Sequence, residues 1–163
     1  MENDHTRPRL DAQRSHERPH VLIVSDDPPL SHFLSEGLPL GGFWTSVIAS
    51  GLQALEVFRL RQFDLIVVDM GLQSFEATEL LRRLRGISDR VSSSEARTSA
   101  PVVLIYPGGD RAQVETVGLG ISAELYPPLE LDEVVQTLHE VFQAWRADHP
   151  DSPLADAANL RAF

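Results

Sequence analysis

The sequence predicts an α/β protein built on one doubly wound sheet of five parallel strands. Residues 21–24 and 65–68 are unbroken aliphatic runs, a pattern typical of strands that are buried on both faces of a parallel sheet. Each run is followed closely by carboxylates, at Asp26 and Asp27 in the first case and at Asp69 in the second. Segments with helical spacing alternate with the strand-like runs, and this alternation is characteristic of α/β folds.

The first half of the predicted domain alternates regularly between strands and helices. Residues 1–19 are polar and are expected to be disordered. A helix is predicted to begin at Pro28, because proline has a helical φ and fits the first turn. A second strand is expected at 44–49, and a second helix after Gly51 that turns an apolar face to the core. The apolar residues of that helix are Leu52, Leu55, Phe58 and Leu60.

The second half contains a long break. A third helix is predicted at 75–85, and the polar segment 86–100 is expected to be a mobile loop because it exceeds the usual connection length. The remaining predicted elements are a strand at 102–106, a weak helix at 111–117, a short strand at 122–125 and an apolar-faced helix at 131–145. Residues 20–146 are thus predicted to form the domain, and residues 147–163 a tail too short for an effector domain such as a helix-turn-helix.

The composition restricts the possible functions. All 14 basic residues are arginine, and with 24 acidic residues they give a net charge of −10, which disfavours direct binding to nucleic acid. The absence of cysteine excludes disulfides and thiolate sites. A polar N-terminus, and no apolar run of the ~20 residues that span a bilayer, predict a cytoplasmic protein with no membrane segment.

The strand-end carboxylates are expected to meet. Right-handed crossovers favour the strand order 2-1-3-4-5, in which strands one and three are neighbours. Asp26, Asp27 and Asp69 would then share the carboxyl edge of the sheet, where like charges repel each other unless a cation joins them. Oxygen ligands of this kind suit Mg²⁺. Taken singly, the same residues are explained by helix capping and by turn formation.

These features resemble the receiver domain of bacterial two-component response regulators, over about residues 19–146. The matching segments are Asp26-Asp27, Asp69, Gly51 with Ala54-Leu55, residues 79–85 and residues 101–105. The resemblance implies a flavodoxin-like (βα)5 fold in which a histidine kinase or phosphotransfer protein phosphorylates Asp69. It also implies a metal site and one cis peptide bond. The implied Mg²⁺ ligands are Asp26, Asp27, Asp69 and the carbonyl of Gly71, and the implied cis bond joins Pro127 to Pro128.

Three positions depart from the family pattern. The usual lysine is replaced by Pro127, the usual serine or threonine after the fourth strand by Tyr106, and the usual inward aromatic by Glu124. Loss of a charge-assisted partner costs roughly 1.5–3 kcal/mol, which is the scale of a two-state population shift. Phosphorylation is therefore expected to remain possible while its usual readout is broken. Arg111 is a weaker candidate for a replacement cation.

Three functions remain open. The leading hypothesis is an atypical stand-alone receiver that acts on a separate effector protein and that can form a homodimer through the predicted fourth helix, fifth strand and fifth helix. The second is a pseudo-receiver, an interaction module that never uses phosphate. The third, a Mg²⁺-dependent phosphoryl-transfer enzyme, is disfavoured because the chain has no Gly-rich phosphate loop and no lysine. His20 and His32 are expected to be solvent-exposed rather than catalytic.

Overall fold

A computed structural model describes residues 18–72, 74–87, 97–108 and 116–155. Five parallel strands form a single sheet in the order β2-β1-β3-β4-β5. This order is the predicted one, and it places β3 at the centre of the sheet. The strands are β1 (His20–Val24), β2 (Trp44–Ile48), β3 (Leu65–Asp69), β4 (Val102–Ile105) and β5 (Ile121–Leu125).

Helices connect the strands. Asp27 caps the first helix and prolines occupy its first turn, as the sequence predicts. The weak helix predicted at 111–117 lies mainly outside the described residues. The helices are α1 (Pro28–Gly37), with a 3-10 turn after it (Leu38–Gly41), α2 (Gly51–Leu60), α3 (Ser74–Leu84) and α4 (Leu131–Asp148), which is the fifth of the predicted helices.

The sheet has a hydrophobic layer on each face. Alternate residues of β1 and β3 point to opposite sides, because successive side chains of a strand alternate. Leu22 and Ile66 pack with α2 and α3 in one layer, whereas Val21 and Leu65 pack with α1 and α4 in the other. β1, β3 and β4 are buried throughout. The central strands are therefore packed on both faces.

Two details of burial differ from the sequence prediction. Leu52 of α2 is 71% exposed, because the buried stripe of this helix follows Gly51, Ala54 and Phe58 and Leu52 lies about 100° away from it. His20 was expected to be exposed but is buried. Its Nε2 lies 2.8 Å from Ser46 Oγ, and its ring packs against the edge of Phe63.

The chain continues to pack against the domain beyond residue 146. α4 extends to Asp148, and Ala155 is buried. The Ala155 N–H donates to Asp64 Oδ1 at 2.9 Å, and the His20 N–H donates to Asp64 Oδ2 at 2.7 Å. Asp64 thereby joins the start of β1 to the segment after α4. Of the segment 1–19, predicted to be disordered, residues 1–17 lie outside the described part of the chain, and so do residues 88–96 of the predicted mobile loop at 86–100.

No helix within the described ranges is long and apolar enough to cross a membrane.

Candidate functional site

The strand ends that carry the candidate site lie side by side. Ladder hydrogen bonds continue one residue past the strands: the Ser25 N–H donates to the Ile48 carbonyl, and the Tyr106 N–H donates to the Leu125 carbonyl. Val24 pairs with Val68, and Asp69 pairs with Ile105. Ser25, Asp69 and Tyr106 therefore share the carboxyl edge of the three central strands, where ligands bind in open α/β sheets.

Asp69 is the buried carboxylate of this edge. Asp69 is only 2% exposed. Burial of a charge is costly unless hydrogen bonds compensate for it. The Ser25 hydroxyl donates to Asp69 Oδ2 at 2.7 Å, and the Gly71 N–H donates to Asp69 Oδ1 at 2.7 Å. Each oxygen thus has one short hydrogen bond, and no ion pair joins Asp69 to another described residue. The carboxylate is fixed in one orientation by neutral donors.

Gly71 lies in a tight space beside the Asp69 carboxylate. A Cβ atom there would lie 2.9 Å from Asp69 Oδ1 and 3.1 Å from Pro107 Cγ, the first of which is closer than real Cβ atoms approach. The turn is closed by the Leu72 N–H, which donates to the Asp69 carbonyl at 3.2 Å. The absence of a side chain at residue 71 is what lets its N–H reach the Asp69 carboxylate.

Ser25 is the site residue that the sequence analysis missed. Its hydroxyl donates to Asp69 and accepts from the Asp27 N–H at 3.1 Å, so it links the loop after β1 to the end of β3. The sequence contains a signal for Ser25. The first and third strands are predicted to be neighbours, so the residue after Val24 should lie beside Asp69.

The structure places the acidic pair differently from the prediction. Asp26 and Asp27 are both exposed, and the Asp27 carboxylate accepts from the Leu30 N–H at 3.1 Å as the N-cap of α1. In the described parts of the chain, no three His, Asp or Glu side chains are grouped so that they could hold a metal ion. The predicted convergence of three carboxylates is therefore not found there. Helix capping accounts for Asp27, and a hydroxyl faces Asp69 instead.

The predicted magnesium ligands are Asp26, Asp27, Asp69 and the Gly71 carbonyl, and magnesium binding by this set stays a prediction. One oxygen of Asp27 accepts from the Leu30 N–H, and each oxygen of Asp69 accepts one hydrogen bond. A carboxylate oxygen has more than one lone pair, so these bonds leave acceptor capacity for a cation. Asp26 and Asp27 are exposed at this edge.

Aromatic residues occupy the side of the site near β4 and β5. Tyr106 is 2% exposed, and its ring stacks on that of Tyr126 at 5.3 Å between centroids and 12° between planes. The Tyr126 hydroxyl donates to Glu124 Oε2 at 2.9 Å, which gives Glu124 a local partner. The expected cis bond between Pro127 and Pro128 is present. Arg111 lies outside the described residues.

Comparison with known proteins identifies the relatives of this chain. No family model matches. The TorCAD operon transcriptional regulatory protein TorR of Escherichia coli K12 is 30% identical over 131 residues, which are 79% of this chain and 51% of TorR. Sporulation initiation phosphotransferase F of Bacillus subtilis 168 is 26% identical over 115 residues, which are 70% of this chain and 86% of that protein. The chain spans about half the length of TorR.

Solved structures agree with these relatives on the fold. The receiver domain of a sensor histidine kinase from Pseudomonas aeruginosa PAO1 superposes with a TM-score of 0.61 at 18% identity, covering 77% of this chain and 98% of that one. That domain was crystallised with magnesium coordinated in its active-site cleft. The homologues of this chain are response regulators, and its fold is that of their flavodoxin-like receiver domain. The chain is thus similar, in sequence and in fold, to the receiver domains of response regulators in two-component signalling.

Proposed function

We propose that this chain is a receiver module whose candidate phosphate acceptor is Asp69, and that its output passes to a separate protein by direct contact. The observation that carries the proposal is the position of Asp69. It is a carboxylate at the carboxyl end of the central strand, and the hydroxyl of Ser25 and the N–H of Gly71 orient it. Aspartyl carboxylates act as nucleophiles towards phosphoryl groups once they are ionised and oriented.

In this proposal, one Asp69 oxygen attacks the phosphorus of a phosphorylated donor. The new bond joins that oxygen to phosphorus, and the bond between phosphorus and the donor breaks with its electron pair leaving on the donor. A histidine kinase or a phosphotransfer protein would be the donor, by analogy with the response regulators that this chain resembles. Asp26, Asp27 and Asp69 would hold Mg²⁺, and we expect this binding to be weak because one oxygen of Asp27 caps α1.

The residues around Asp69 favour weak coupling between phosphorylation and output. A phosphoryl group on Asp69 would add negative charge next to a site where the described residues supply no paired cation. Pro127 holds the position at which the resemblance leads us to expect lysine, and Tyr106 holds the position of a small hydroxyl residue. Tyr106 is buried against Tyr126. This position therefore has no short hydroxyl side chain that could move towards the phosphoryl group.

The second candidate function is an interaction module that does not depend on phosphorylation. It is favoured by the same hydrogen bonds, since both Asp69 oxygens already have donors and the carboxylate has no need of a cation. In that case the surface presented to the partner protein would be constant. The third possibility, a phosphoryl-transfer enzyme, has no supporting grouping of catalytic side chains in the described residues.

The two candidate functions are separated by incubation with acetyl phosphate, with and without Mg²⁺, followed by intact-mass measurement. Phosphorylation at Asp69 predicts the added mass of one phosphoryl group, lost in Asp69→Asn. A matched control is Asp151→Asn, which removes an exposed carboxylate in the segment after α4. No added mass under any condition would reject the acceptor role and leave the phosphorylation-independent module.

A further inference from the structure

A cavity of about 460 Å³ lies at the edge of the sheet opposite Asp69. Its walls are residues 61–64 and 97–100, the end of α2, Trp145 of α4, and Ser152, Pro153 and Ala155. Asp64 and Asp69 are five positions apart, and a strand rises about 3.3 Å per residue, so the cavity is roughly 16 Å from the candidate acceptor. Volumes of this size are usual for small-molecule sites. The cavity is therefore a separate feature of the domain.

Hydrogen bonds between distant parts of the chain hold the cavity walls in place. Arg85 Nη1 donates to the Thr98 carbonyl at 2.7 Å, and Trp145 Nε1 donates to the Ser99 carbonyl at 2.8 Å. On the opposite wall, the Ala155 N–H donates to Asp64 at 2.9 Å. A site whose walls are already fixed loses little conformational entropy when a ligand binds.

The cavity is positively charged although the protein is acidic. Arg59, Arg61 and Arg97 line it, and Arg59 is paired with Glu56 at 3.3 Å. Neither Arg61 nor Arg97 forms an ion pair with any other described residue. Among the described residues that line the cavity, Asp64 is the one carboxylate; it is 6% exposed and accepts from two backbone N–H groups. Arg61 and Arg97 thus line the cavity without an ion-pair partner in the described part of the chain.

A fourth arginine adds to this charge. The Arg85 guanidinium donates to the carbonyls of Leu119, Thr98 and Gly120 at 2.7 to 3.2 Å, and none of these acceptors carries a charge. Burial lowers the pKa of Arg85 from its ordinary value, yet arginine remains protonated in proteins. Arg85 lies next to Arg97 in an adjoining depression. The chain has 24 acidic and 14 basic residues. Three arginines close together without ion-pair partners among the described residues, Arg61, Arg85 and Arg97, therefore favour an anionic ligand.

The chemistry of the walls selects among anions. A guanidinium group binds phosphate through two parallel hydrogen bonds, and the side chains of Thr98, Ser99 and Ser152 supply hydroxyl donors around the same volume. Phe58 and Phe63 form an apolar part of the wall, and both are almost fully buried. We propose that this cavity binds a small phosphorylated organic molecule, with Arg61 and Arg97 holding the phosphate.

The test uses the full chain carrying Trp44→Phe, because the sequence has two tryptophans and Trp145 of the cavity wall then becomes the only one. Pyrophosphate, adenosine monophosphate and citrate are titrated while Trp145 fluorescence and heat of binding are recorded. We expect the two phosphate compounds to bind and to change Trp145 fluorescence. The variant Arg61→Gln/Arg97→Gln is expected to lose at least about tenfold in affinity, a loss equivalent to about 1.4 kcal/mol of binding free energy.

Arg82→Gln is the matched control, because Arg82 is also exposed but lies on α3 away from the cavity. The exposed positions of Arg61 and Arg97 make the double variant compatible with folding, which far-ultraviolet circular dichroism verifies. The proposal is overturned if neither phosphate compound binds at millimolar concentration, or if the double variant binds them as well as Arg82→Gln does. Binding of citrate as tight as that of adenosine monophosphate would overturn the assignment to phosphate.

Discussion

The Ser25 hydroxyl donates a 2.7 Å hydrogen bond to Asp69 Oδ2. This contact joins residues that are 44 positions apart, and it connects the ends of two neighbouring parallel strands. It also gives a buried carboxylate a neutral partner at the edge where a cation was predicted. The character of the candidate site therefore depends on residue 25 as much as on the acidic residues that follow it.

Removal of the Ser25 hydroxyl should destabilise the protein. In Ser25→Ala, Asp69 Oδ2 loses its donor while the carboxylate stays buried, and hydrogen bonds to charged groups contribute about 1.5–3 kcal/mol. We expect the free energy of unfolding in urea to fall by about 2 kcal/mol. Ser122→Ala, at an exposed position of β5, is the control and should change it little. Equal stabilities of the two variants would show that the hydrogen bond contributes nothing to folding.

An acidic residue at position 25 should make stability depend on magnesium. Ser25→Asp places a second carboxylate against Asp69, and two neighbouring carboxylates repel each other unless a cation binds both. We expect a lower melting temperature than wild type in the presence of a chelator and a clear increase on addition of Mg²⁺. Ser25→Asn has a similar size without the charge and should not respond. A response of Ser25→Asp no larger than that of Ser25→Asn would contradict this account.

The fold could be predicted from the sequence because its main determinants are local. The aliphatic runs of β1 and β3, the prolines at the start of α1 and the alternation of elements fix the order of the sheet with little reference to distant contacts. Asp69 at the end of the central strand followed directly from that order. The edge of the sheet at which the candidate site lies could thus be predicted from the sequence.

The detailed contacts of the site could not be predicted in the same way. Asp27 had two compatible partners, a metal ion and the N-terminus of α1, and sequence alone does not show which one its carboxylate faces. The bond from Ala155 to Asp64 joins residues 91 positions apart, and no pattern in the predicted tail indicated it. Such contacts depend on where segments lie after folding. The burial of His20 against Ser46 has the same origin.

Asp64 should control how firmly the segment after α4 is attached. In Asp64→Asn, one of the two acceptor oxygens becomes an amide donor, so either the Ala155 N–H or the His20 N–H loses its partner. We expect a loss of about 2 kcal/mol in the free energy of unfolding. Hydrogen exchange should become faster at one or both of these amides. Asp151→Asn, exposed in the same segment, is the control, and unchanged exchange at both amides in Asp64→Asn would contradict the prediction.

Self-association should be insensitive to the state of Asp69. The predicted dimer face includes β5 and α4 together with residues outside the described ranges, and in the described part it exposes Val117 and Tyr126. Tyr106 lies between this face and the site, and it is packed against Tyr126 instead of being free to rotate towards an added phosphoryl group. A change at Asp69 therefore cannot be transmitted to β5 by the movement of a small side chain at position 106.

Sedimentation velocity of wild type, Asp69→Asn and Asp69→Glu measures this directly. Asp69→Asn removes the charge, and Asp69→Glu moves it further from the backbone, so the two variants perturb the site in different ways. We expect the same association constant for all three proteins within about twofold, because differences below about 0.4 kcal/mol indicate no useful coupling. Tyr126→Ala, which alters the face itself, should change any association that uses it. A clear change in either Asp69 variant would show that the site and the face are coupled, and would restore a working phosphorylation switch.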